Sequence, residues 1–138
     1  MRVTRRYRFS ASHRLHAHSL SDAENRALYG KCNNPFGHGH DYVVEVSVRG
    51  PVDMQTGLAV NTAALDALVR EQVIQAFDRR NLNTEIPEFQ TTTPTTENLG
   101  RQIHRRLNAE WDRAFPGRVP ALERIRIAET ERNIFEIE

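Results

Sequence analysis

Alternation of apolar and polar side chains over the first dozen residues constrains the fold of this chain more than any other feature. One parity carries the apolar residues Val3, Tyr7, Phe9 and Ala11, and the other carries only polar ones. A period of two is typical of a β-strand with one buried face. Arg5 interrupts the apolar parity, and His13 ends it. The sequence therefore predicts a strand over residues 2–13 that packs one face against a core.

A second strand is predicted over residues 41–49, where Tyr42 and three valines at alternate positions share one face. Between the two strands, Ser21 and Glu24 form the S-x-x-E pattern of a capping box. This pattern predicts a short helix that ends near Gly30.

Two longer helices are predicted after the second strand. Over residues 62–77, and again from about Thr95, apolar side chains recur at spacings of three and four, which is typical of amphipathic helices. Pro87 and Pro94 bracket a polar loop between these helices.

The last part of the chain predicts two more strands. Residues 123–129 alternate, and residues 134–137 form a short strand that we expect to pair with them as a hairpin. The order of elements indicates an α+β fold, in which a four-stranded antiparallel sheet carries two long helices on one face.

Composition argues against several classes of protein. The 138 residues suffice for one core, so we expect a single domain over residues 1–138. Nineteen basic and eighteen acidic side chains leave a formal charge of +1, whereas nucleic-acid-binding proteins usually carry a clear basic excess. No apolar run approaches the roughly 18 residues of a membrane span, and the first residues lack the apolar segment of a signal peptide. With one cysteine, a reducing cytoplasm is the expected location.

The H-x-H pair at His38 and His40 is the clearest chemical signal in the sequence. In an extended chain, residues two apart project from the same face, with Cβ atoms roughly 6.5–7 Å apart. If the first two strands pair antiparallel, His13 lies near this pair and three imidazoles converge. Three histidines with an open fourth position are typical of catalytic zinc, although a polar loop without metal remains the alternative. His16 and His18 are weaker candidates, because they lie where the chain leaves the strand.

Cys32 is open to three interpretations. It can be a small buried hydrophobe, a fourth zinc ligand that closes the site, or a thiolate that acts as base or nucleophile. Lys31 and the Asn33-Asn34 pair beside it disfavour burial in the core. The pattern alone does not separate the ligand from the thiolate.

Five segments together resemble the 6-pyruvoyl-tetrahydropterin synthase family of tunnelling-fold pterin enzymes. In chain order they read FSASHRL (9–15), LSDAENRALYGKCNNPFGHGHDY (20–42), DRRNLN (78–83), TTEN (95–98) and AETERNI (128–134). They cover nearly the whole chain, and a C-x5-HGH element downstream of SASHRL is a specific signature.

The resemblance implies a zinc-dependent lyase. Its zinc ligands would be His13, His38 and His40, and Cys32 would be the catalytic thiolate. The substrate would be 7,8-dihydroneopterin triphosphate, from which triphosphate is eliminated to form 6-pyruvoyl-tetrahydropterin.

The same resemblance assigns the pterin contacts. Glu129 would anchor the pterin ring, and its parity with two isoleucines independently indicates a carboxylate on an apolar face that needs partners. Thr95, Thr96 and Glu97 align with further pterin-contacting positions, with plain helix capping as the alternative.

Family members assemble edge to edge into barrels of trimers and then hexamers, with active sites between subunits. We therefore expect a homo-oligomer, by resemblance a hexamer. In such an assembly Glu129 and the three histidines can serve one pocket from different chains.

One position departs from the family pattern. The family usually has Asp-His where this chain has Asp78-Arg79, and that pair is thought to relay protons to the cysteine. Arg79 cannot exchange protons, because the pKa of arginine stays above ~12. It can still stabilise a thiolate, pair with Asp78 or bind the triphosphate. Our hypothesis is that this change weakens proton transfer and leaves zinc and pterin binding intact.

Two other functions fit the same residues. The sister enzyme 6-carboxy-tetrahydropterin synthase, of queuosine biosynthesis, shares the fold, zinc and substrate but also releases acetaldehyde. The C-x5-H spacing favours the pyruvoyl branch over it. Arg79 also motivates a homologue that binds zinc and a pterin with weak or no catalysis.

Overall fold

The computed structural model describes all residues from Met1 to Glu138, and its centre is a long antiparallel ladder. Strand β1 (Arg2–His13) pairs with strand β2 (His38–Arg49) over the full length of both. Strand β4 (Ala121–Ala128) pairs antiparallel with β2, and β5 (Ile134–Ile137) pairs antiparallel with β4. The predicted strands and their hairpin are confirmed, and β2 begins three residues earlier than predicted because the H-x-H segment itself joins the ladder.

The sheet has five strands, one more than predicted. Strand β3 (Arg80–Asn81) pairs parallel with β1 at the sheet edge, giving the order β3-β1-β2-β4-β5. It lies between the two predicted long helices, together with the short helix α4 (Leu82–Glu85), which Asn81 caps. Two residues are too few to show a period of two, so no hydrophobic pattern marks this strand.

The first helix and the last agree with the predicted spans. Helix α1 (Asp22–Tyr29) has both hydrogen bonds of the capping box. Helix α5 (Thr96–Ala114) begins directly after its N-cap, Thr95. None of the helices combines the length and the apolar composition that crossing a bilayer would require.

The helical segment predicted over residues 62–77 is interrupted. It consists of helix α2 (Thr62–Val69), a π-turn (Arg70–Ile74) and the short helix α3 (Gln75–Phe77). The three pieces together cover the predicted span.

One continuous core fills the space between the helices and one face of the sheet. Its fully buried members include Tyr42 from β2 and Trp111 from α5. Arg5, which interrupts the apolar parity of β1, also projects toward the helices. Its guanidinium donates two hydrogen bonds of 2.8 Å to Asp66 of α2, so a bidentate pair takes the place of an apolar contact. The core ends at the rim where β1 finishes and β2 starts.

Candidate active site

Three histidines and the only cysteine meet at the rim of the sheet. In the β1–β2 register, His13 lies opposite His38, and His40 follows two residues later on the same face. Cys32 lies in a 3-10 turn (Gly30–Asn33) just before β2. The ligand atoms of these four side chains all lie within 4.8 Å of one another. The structure therefore brings together the three imidazoles whose convergence the strand pairing predicted.

The shortest distances within the cluster join atoms that are typical metal ligands. Nε2 of His40 is 3.1 Å from Nε2 of His13, and Sγ of Cys32 is 3.0 Å from Nε2 of His38. Ligands of a tetrahedral zinc lie roughly 3.3–3.8 Å apart, given bonds of about 2.0–2.3 Å. Three imidazoles and a thiol at this spacing can hold a metal ion. Cys32 is close enough either to bind that ion directly or to lie beside it as a separate reactive group.

His13 is held in one tautomer by a main-chain group. Its Nδ1 is 2.8 Å from the carbonyl oxygen of Pro94, which can only accept a hydrogen bond. Nδ1 therefore carries the proton, and the lone pair of Nε2 faces the cluster, as a metal ligand requires. The sequence did not reveal this contact, because a carbonyl group has no side-chain signature.

The turn that carries Cys32 is tied to the end of β1. The amide of Leu15 donates to the carbonyl of Cys32 at 2.7 Å, and the side-chain amide of Asn33 donates to the carbonyl of Leu15 at 2.7 Å. Cys32 is partly exposed, as its polar neighbours predicted, but Asn33 itself is buried. The polarity of Asn33 therefore does not indicate exposure, because the backbone satisfies its amide. These bonds fix Cys32 beside the histidines.

A glycine is required where the loop passes the end of β1. Gly37 has φ +69, and a Cβ at this position would lie 2.6 Å from the carbonyl oxygen of His13. At Gly39 the nearest atom to such a Cβ, the carbonyl oxygen of Ala11, would be 3.7 Å away, an ordinary contact. Of these two glycines beside the histidines, only Gly37 relieves crowding.

Glu129 of the same chain adjoins the histidines. Its Oε1 lies 3.3 Å from Nε2 of His40 and 3.7 Å from Nε2 of His13. Its other oxygen, Oε2, lies 3.4 Å from the side-chain nitrogen Nδ2 of Asn133. His13, His40 and Glu129 therefore lie side by side within a single chain, and a second chain is not needed to bring them together. The antiparallel β2–β4 pairing explains this, because it carries the end of β4 to the start of β2.

Burial controls protonation in this cluster. It lowers the pKa of His13 and of His40, which favours the neutral imidazoles that bind metals. Burial, and then the negative charge of Glu129, raises the pKa of the Cys32 thiol. The protein without a cation thus favours the protonated thiol, and a nearby positive charge is needed to make a thiolate.

Below the cluster, two buried hydroxyls lack hydrogen bonds. Tyr42 and Thr96 are both buried, and neither hydroxyl has a partner in hydrogen-bonding geometry. Burial, followed by the charge of Glu129, raises the pKa of Tyr42 far above its usual range, and the hydroxyl of Thr96 nearby opposes this shift only weakly. The phenol therefore stays protonated.

The other two predicted pterin contacts differ from Thr96. The side chain of Thr95 caps α5 by accepting a hydrogen bond from the amide of Asn98. Glu97 is exposed in the first turn of the helix. Helix capping is thus present at Thr95, as the alternative interpretation expected.

Asp78 and Arg79 lie outside the cluster. Asp78 accepts a hydrogen bond from the amide of Ser10 at 2.9 Å, and the amide of Arg79 donates to the carbonyl of Ser10 at 2.6 Å. Neither side chain makes a hydrogen bond or an ion pair with Cys32 within the chain.

The two rival histidines are also separate from the cluster. His16 accepts a hydrogen bond from the side-chain amide of Asn33, and its ring lies 5.4 Å from that of His18. Neither belongs to the group that could hold a metal ion.

Comparison with known proteins identifies the family. The family model described as 6-pyruvoyl tetrahydropterin synthase matches residues 2–138. The chain belongs to this family. It is 45% identical to 6-pyruvoyl tetrahydrobiopterin synthase of Poecilia reticulata over 96% of this chain and 86% of that protein. It is 43% identical to the protein of that name from Homo sapiens, over 96% of this chain and 87% of that one.

Solved structures agree with this assignment. The Caenorhabditis elegans 6-pyruvoyl tetrahydropterin synthase superposes with a TM-score of 0.85 at 37% identity, covering 100% of this chain and 94% of that chain. The Plasmodium falciparum enzyme superposes with a TM-score of 0.70 at 17% identity, covering 99% of this chain and 96% of that chain, and shows the shared fold alone. The tunnelling fold of the family is thereby confirmed for this chain.

Proposed function

We propose that this protein is a zinc-dependent lyase that eliminates triphosphate from 7,8-dihydroneopterin triphosphate and forms 6-pyruvoyl-tetrahydropterin. One observation carries the proposal: a group of three histidines and one cysteine, with ligand atoms within 4.8 Å, has a carboxylate, Glu129, 3.3 Å from one of its imidazoles. The relatives named for this synthase, at 45% and 43% identity over most of their length, support the reaction class.

Glu129 is the proposed anchor for the pterin ring. The amino group and the adjacent ring N–H of a pterin form a pair of donors that one carboxylate can accept in bidentate fashion. The Glu129 side chain is 10% exposed, so a ligand paired with it is largely removed from water. Thr95, Thr96 and Glu97, in the first turn of α5 and its cap, are proposed to line the same pocket.

His13, His38 and His40 are proposed to hold the zinc. When bound, zinc supplies Lewis acidity, which lowers the pKa of a hydroxyl that it ligates and of a thiol beside it. The Pro94 carbonyl keeps the Nε2 lone pair of His13 available for this role. The imidazoles of His13 and His40 that would hold the zinc lie beside Glu129.

Cys32 is proposed to remove the carbon-bound proton of the substrate side chain. Its Sγ, 3.0 Å from Nε2 of His38, lies next to the place where the side-chain hydroxyls would bind. Loss of that proton leaves an electron pair that expels triphosphate as the adjacent carbon–oxygen bond breaks. The proton remains on sulfur until the product side chain takes it up during the internal rearrangement.

Asp78 is proposed to act in the proton-transfer half of the reaction, which is weakened because Arg79 stands in place of the histidine usual in the family. Steady-state rates of wild type and Arg79→His decide this point. The histidine variant should be faster, because imidazole can exchange a proton near neutral pH and a guanidinium cannot. A variant no faster than wild type would count against the hypothesis.

We also propose a homo-oligomer, by resemblance a hexamer built as a dimer of trimers, and a cytoplasmic location. Within one chain Asp78 and Arg79 do not contact Cys32, which fits a site completed between subunits. Sedimentation of the purified protein tests the assembly, and a monomer at full specific activity would contradict it.

The decisive experiment combines metal analysis with product identification. Purified protein is assayed for zinc and incubated with dihydroneopterin triphosphate. We expect bound zinc, released triphosphate and no acetaldehyde, and we expect Cys32→Ala to bind zinc and be inactive. Acetaldehyde release would assign the chain to the carboxy-pterin branch. Binding without turnover would make it a pterin-binding protein, and full activity of Cys32→Ala would remove the thiol from the mechanism.

A further inference from the structure

The hydroxyl of Tyr42 is a buried polar group that the proposed reaction does not use. The residue is 0% exposed, and its oxygen has no hydrogen-bond partner. The hydroxyl of Thr96 lies nearby, but neither oxygen has a partner in full hydrogen-bonding geometry. Leaving a buried hydroxyl unpaired costs stability, and a phenylalanine of the same shape would avoid that cost. Groups that lower stability in this way tend to occur at functional sites, so Tyr42 is a candidate for a role in binding.

Tyr42 has ring neighbours on β1 and β2 and a cross-strand neighbour just past the end of β4. On the β1 side it pairs with Phe9, and the two rings stack with centroids 5.1 Å apart. Along β2 the centroid of its ring lies 5.6 Å from the centroid of the His40 ring. On the other side, the β2–β4 ladder pairs Val43 with Ala128. The same register continued by one step sets Tyr42 opposite Glu129.

Continued in this way, the register makes Tyr42 and Glu129 cross-strand neighbours, one position beyond the end of β4. Side chains in such positions have Cβ atoms about 4.5–5.5 Å apart. A phenol hydroxyl can donate a hydrogen bond, and a carboxylate only accepts. The two groups are chemically complementary.

Metal binding by the histidines makes such a donor necessary. Oε1 of Glu129 lies 3.3 Å from Nε2 of His40 and 3.7 Å from Nε2 of His13. A ring nitrogen that ligates a metal carries no proton, so it cannot donate to a carboxylate. A carboxylate at this largely buried position then has fewer donors around it, which is unfavourable unless another group supplies a hydrogen bond.

We propose that Tyr42 is a positioning residue, whose hydroxyl donates to Glu129 and holds that carboxylate toward the donor pair of the bound pterin. This inference rests on the proposed function. The hydroxyl acts through Glu129 because its oxygen is sealed beneath other side chains and does not contact the ligand itself.

Tyr42→Phe tests the inference, because it removes one oxygen and preserves the stacking on Phe9. The measurement is calorimetric titration of zinc-loaded protein with neopterin, a pterin that lacks the triphosphate. We expect zinc content to be unchanged and neopterin to bind about 10-fold weaker or more, which is typical of losing a hydrogen bond to a charged group. The urea midpoint of the variant should equal or exceed that of wild type, since an unpaired hydroxyl is removed.

A double-mutant cycle tests the route through Glu129. In a Glu129→Gln background, Tyr42→Phe should weaken neopterin binding much less than it does in wild type, because the charged acceptor is gone. Tyr7→Phe is the matched control. Tyr7 lies earlier on β1, opposite Val44, and its hydroxyl donates to Asp66 at 2.7 Å. This variant should lower the urea midpoint and leave neopterin affinity unchanged.

Several outcomes would overturn the proposal. If Tyr42→Phe binds neopterin as tightly as wild type, the hydroxyl has no role in binding. If the effects of the two substitutions in the cycle are additive, the hydroxyl does not act through Glu129. A lowered urea midpoint with unchanged affinity shows a structural role only. If zinc-loaded wild type itself does not bind neopterin, the proposed function fails and this inference fails with it. If wild type and Tyr42→Phe bind neopterin equally well, this inference fails and the proposed function stands.

Discussion

The two ends of the β1–β2 ladder carry similar groups in opposite surroundings. At one end Arg2 lies opposite Arg49, and both donate to Glu123 of β4. At the other end His13 and His40 lie beside Glu129, which follows β4. Each end thus has two basic side chains and one glutamate contributed from the β4 side of the sheet.

The two ends of the ladder differ in how far their side chains are exposed to water. The side chains of Arg2 and Arg49 are 47% and 56% exposed, and Arg2 above all holds the pKa of Glu123 at about 2. The side chains of His13, His40 and Glu129 are 0–10% exposed. The arginine end is satisfied by its own charges and by water. At the histidine end, ring nitrogens and a thiol lie within 4.8 Å of one another, so one metal ion can bind them together.

This difference shows where stability has been given up for function. Exposed ion pairs contribute little, and removing them changes little. A buried group of metal ligands is stabilised when a cation binds it. The following changes test the contrast, from the largest expected effect to the smallest.

His13→Ala should remove both metal binding and catalysis. It deletes the imidazole whose lone pair the Pro94 carbonyl orients. We expect zinc content to fall to near zero and kcat/KM to fall by more than about 100-fold, which exceeds the usual cost of losing an outer-shell partner. Metal analysis and steady-state rates measure this. His18→Ala is the control, since His18 lies outside the cluster, and zinc retained by His13→Ala would contradict the ligand assignment.

Gly37→Ala should destabilise the protein far more than Gly39→Ala. A methyl group at 37 meets the His13 carbonyl at 2.6 Å and must adopt φ +69, whereas at 39 it makes an ordinary 3.7 Å contact. We expect a loss of about 1–3 kcal/mol in the free energy of unfolding at 37 and a smaller one at 39. Urea unfolding measures both, and equal effects would show that the close approach does not matter.

Lowering the pH should decrease the free energy of unfolding of the metal-free protein, first through His13 and His40. Burial lowers the pKa of His13 and His40 in the folded state below the ordinary value of about 6.5. As the pH falls from about 7 toward 5, the unfolded chain takes up protons that the folded chain does not, so the free energy of unfolding decreases. The contribution of Glu123, whose folded pKa is about 2, is lost only at pH values below about 4.5.

Urea midpoints of metal-free wild type and His13→Gln at pH 7.5 and 5.5 measure the effect. The midpoint of His13→Gln should depend less on pH, because one of the two depressed imidazoles is gone. Equal pH dependence in the two proteins would place the sensitivity elsewhere.

Glu123→Gln should have the smallest effect. Both arginines are at the surface and the carboxylate is partly exposed, so solvent screens their interaction. We expect unchanged zinc content, unchanged kcat and a urea midpoint close to that of wild type. A large loss of activity would mean that the two ends of the ladder are coupled.

Much of the fold could be predicted because its elements have local signals. The alternation of β1, the capping box of α1 and the stripe of α5 each follow from a few adjacent residues. Strand β3 and the π-turn at Arg70–Ile74 have no such signal, because two paired residues and one widened turn do not change the hydrophobic period.

For the candidate site, the sequence determined which side chains share a face. Parity alone put His13 at the end of one apolar face and His38 with His40 on another, and antiparallel pairing brought them together. The tertiary structure alone decided the partners that surround them: the Pro94 carbonyl, the carboxylate of Glu129 within the same chain, and the unpaired hydroxyl of Tyr42. The reason is physical. A repeat in sequence reports the direction of a side chain, whereas its partner across the fold depends on register and on main-chain groups that are the same for every residue.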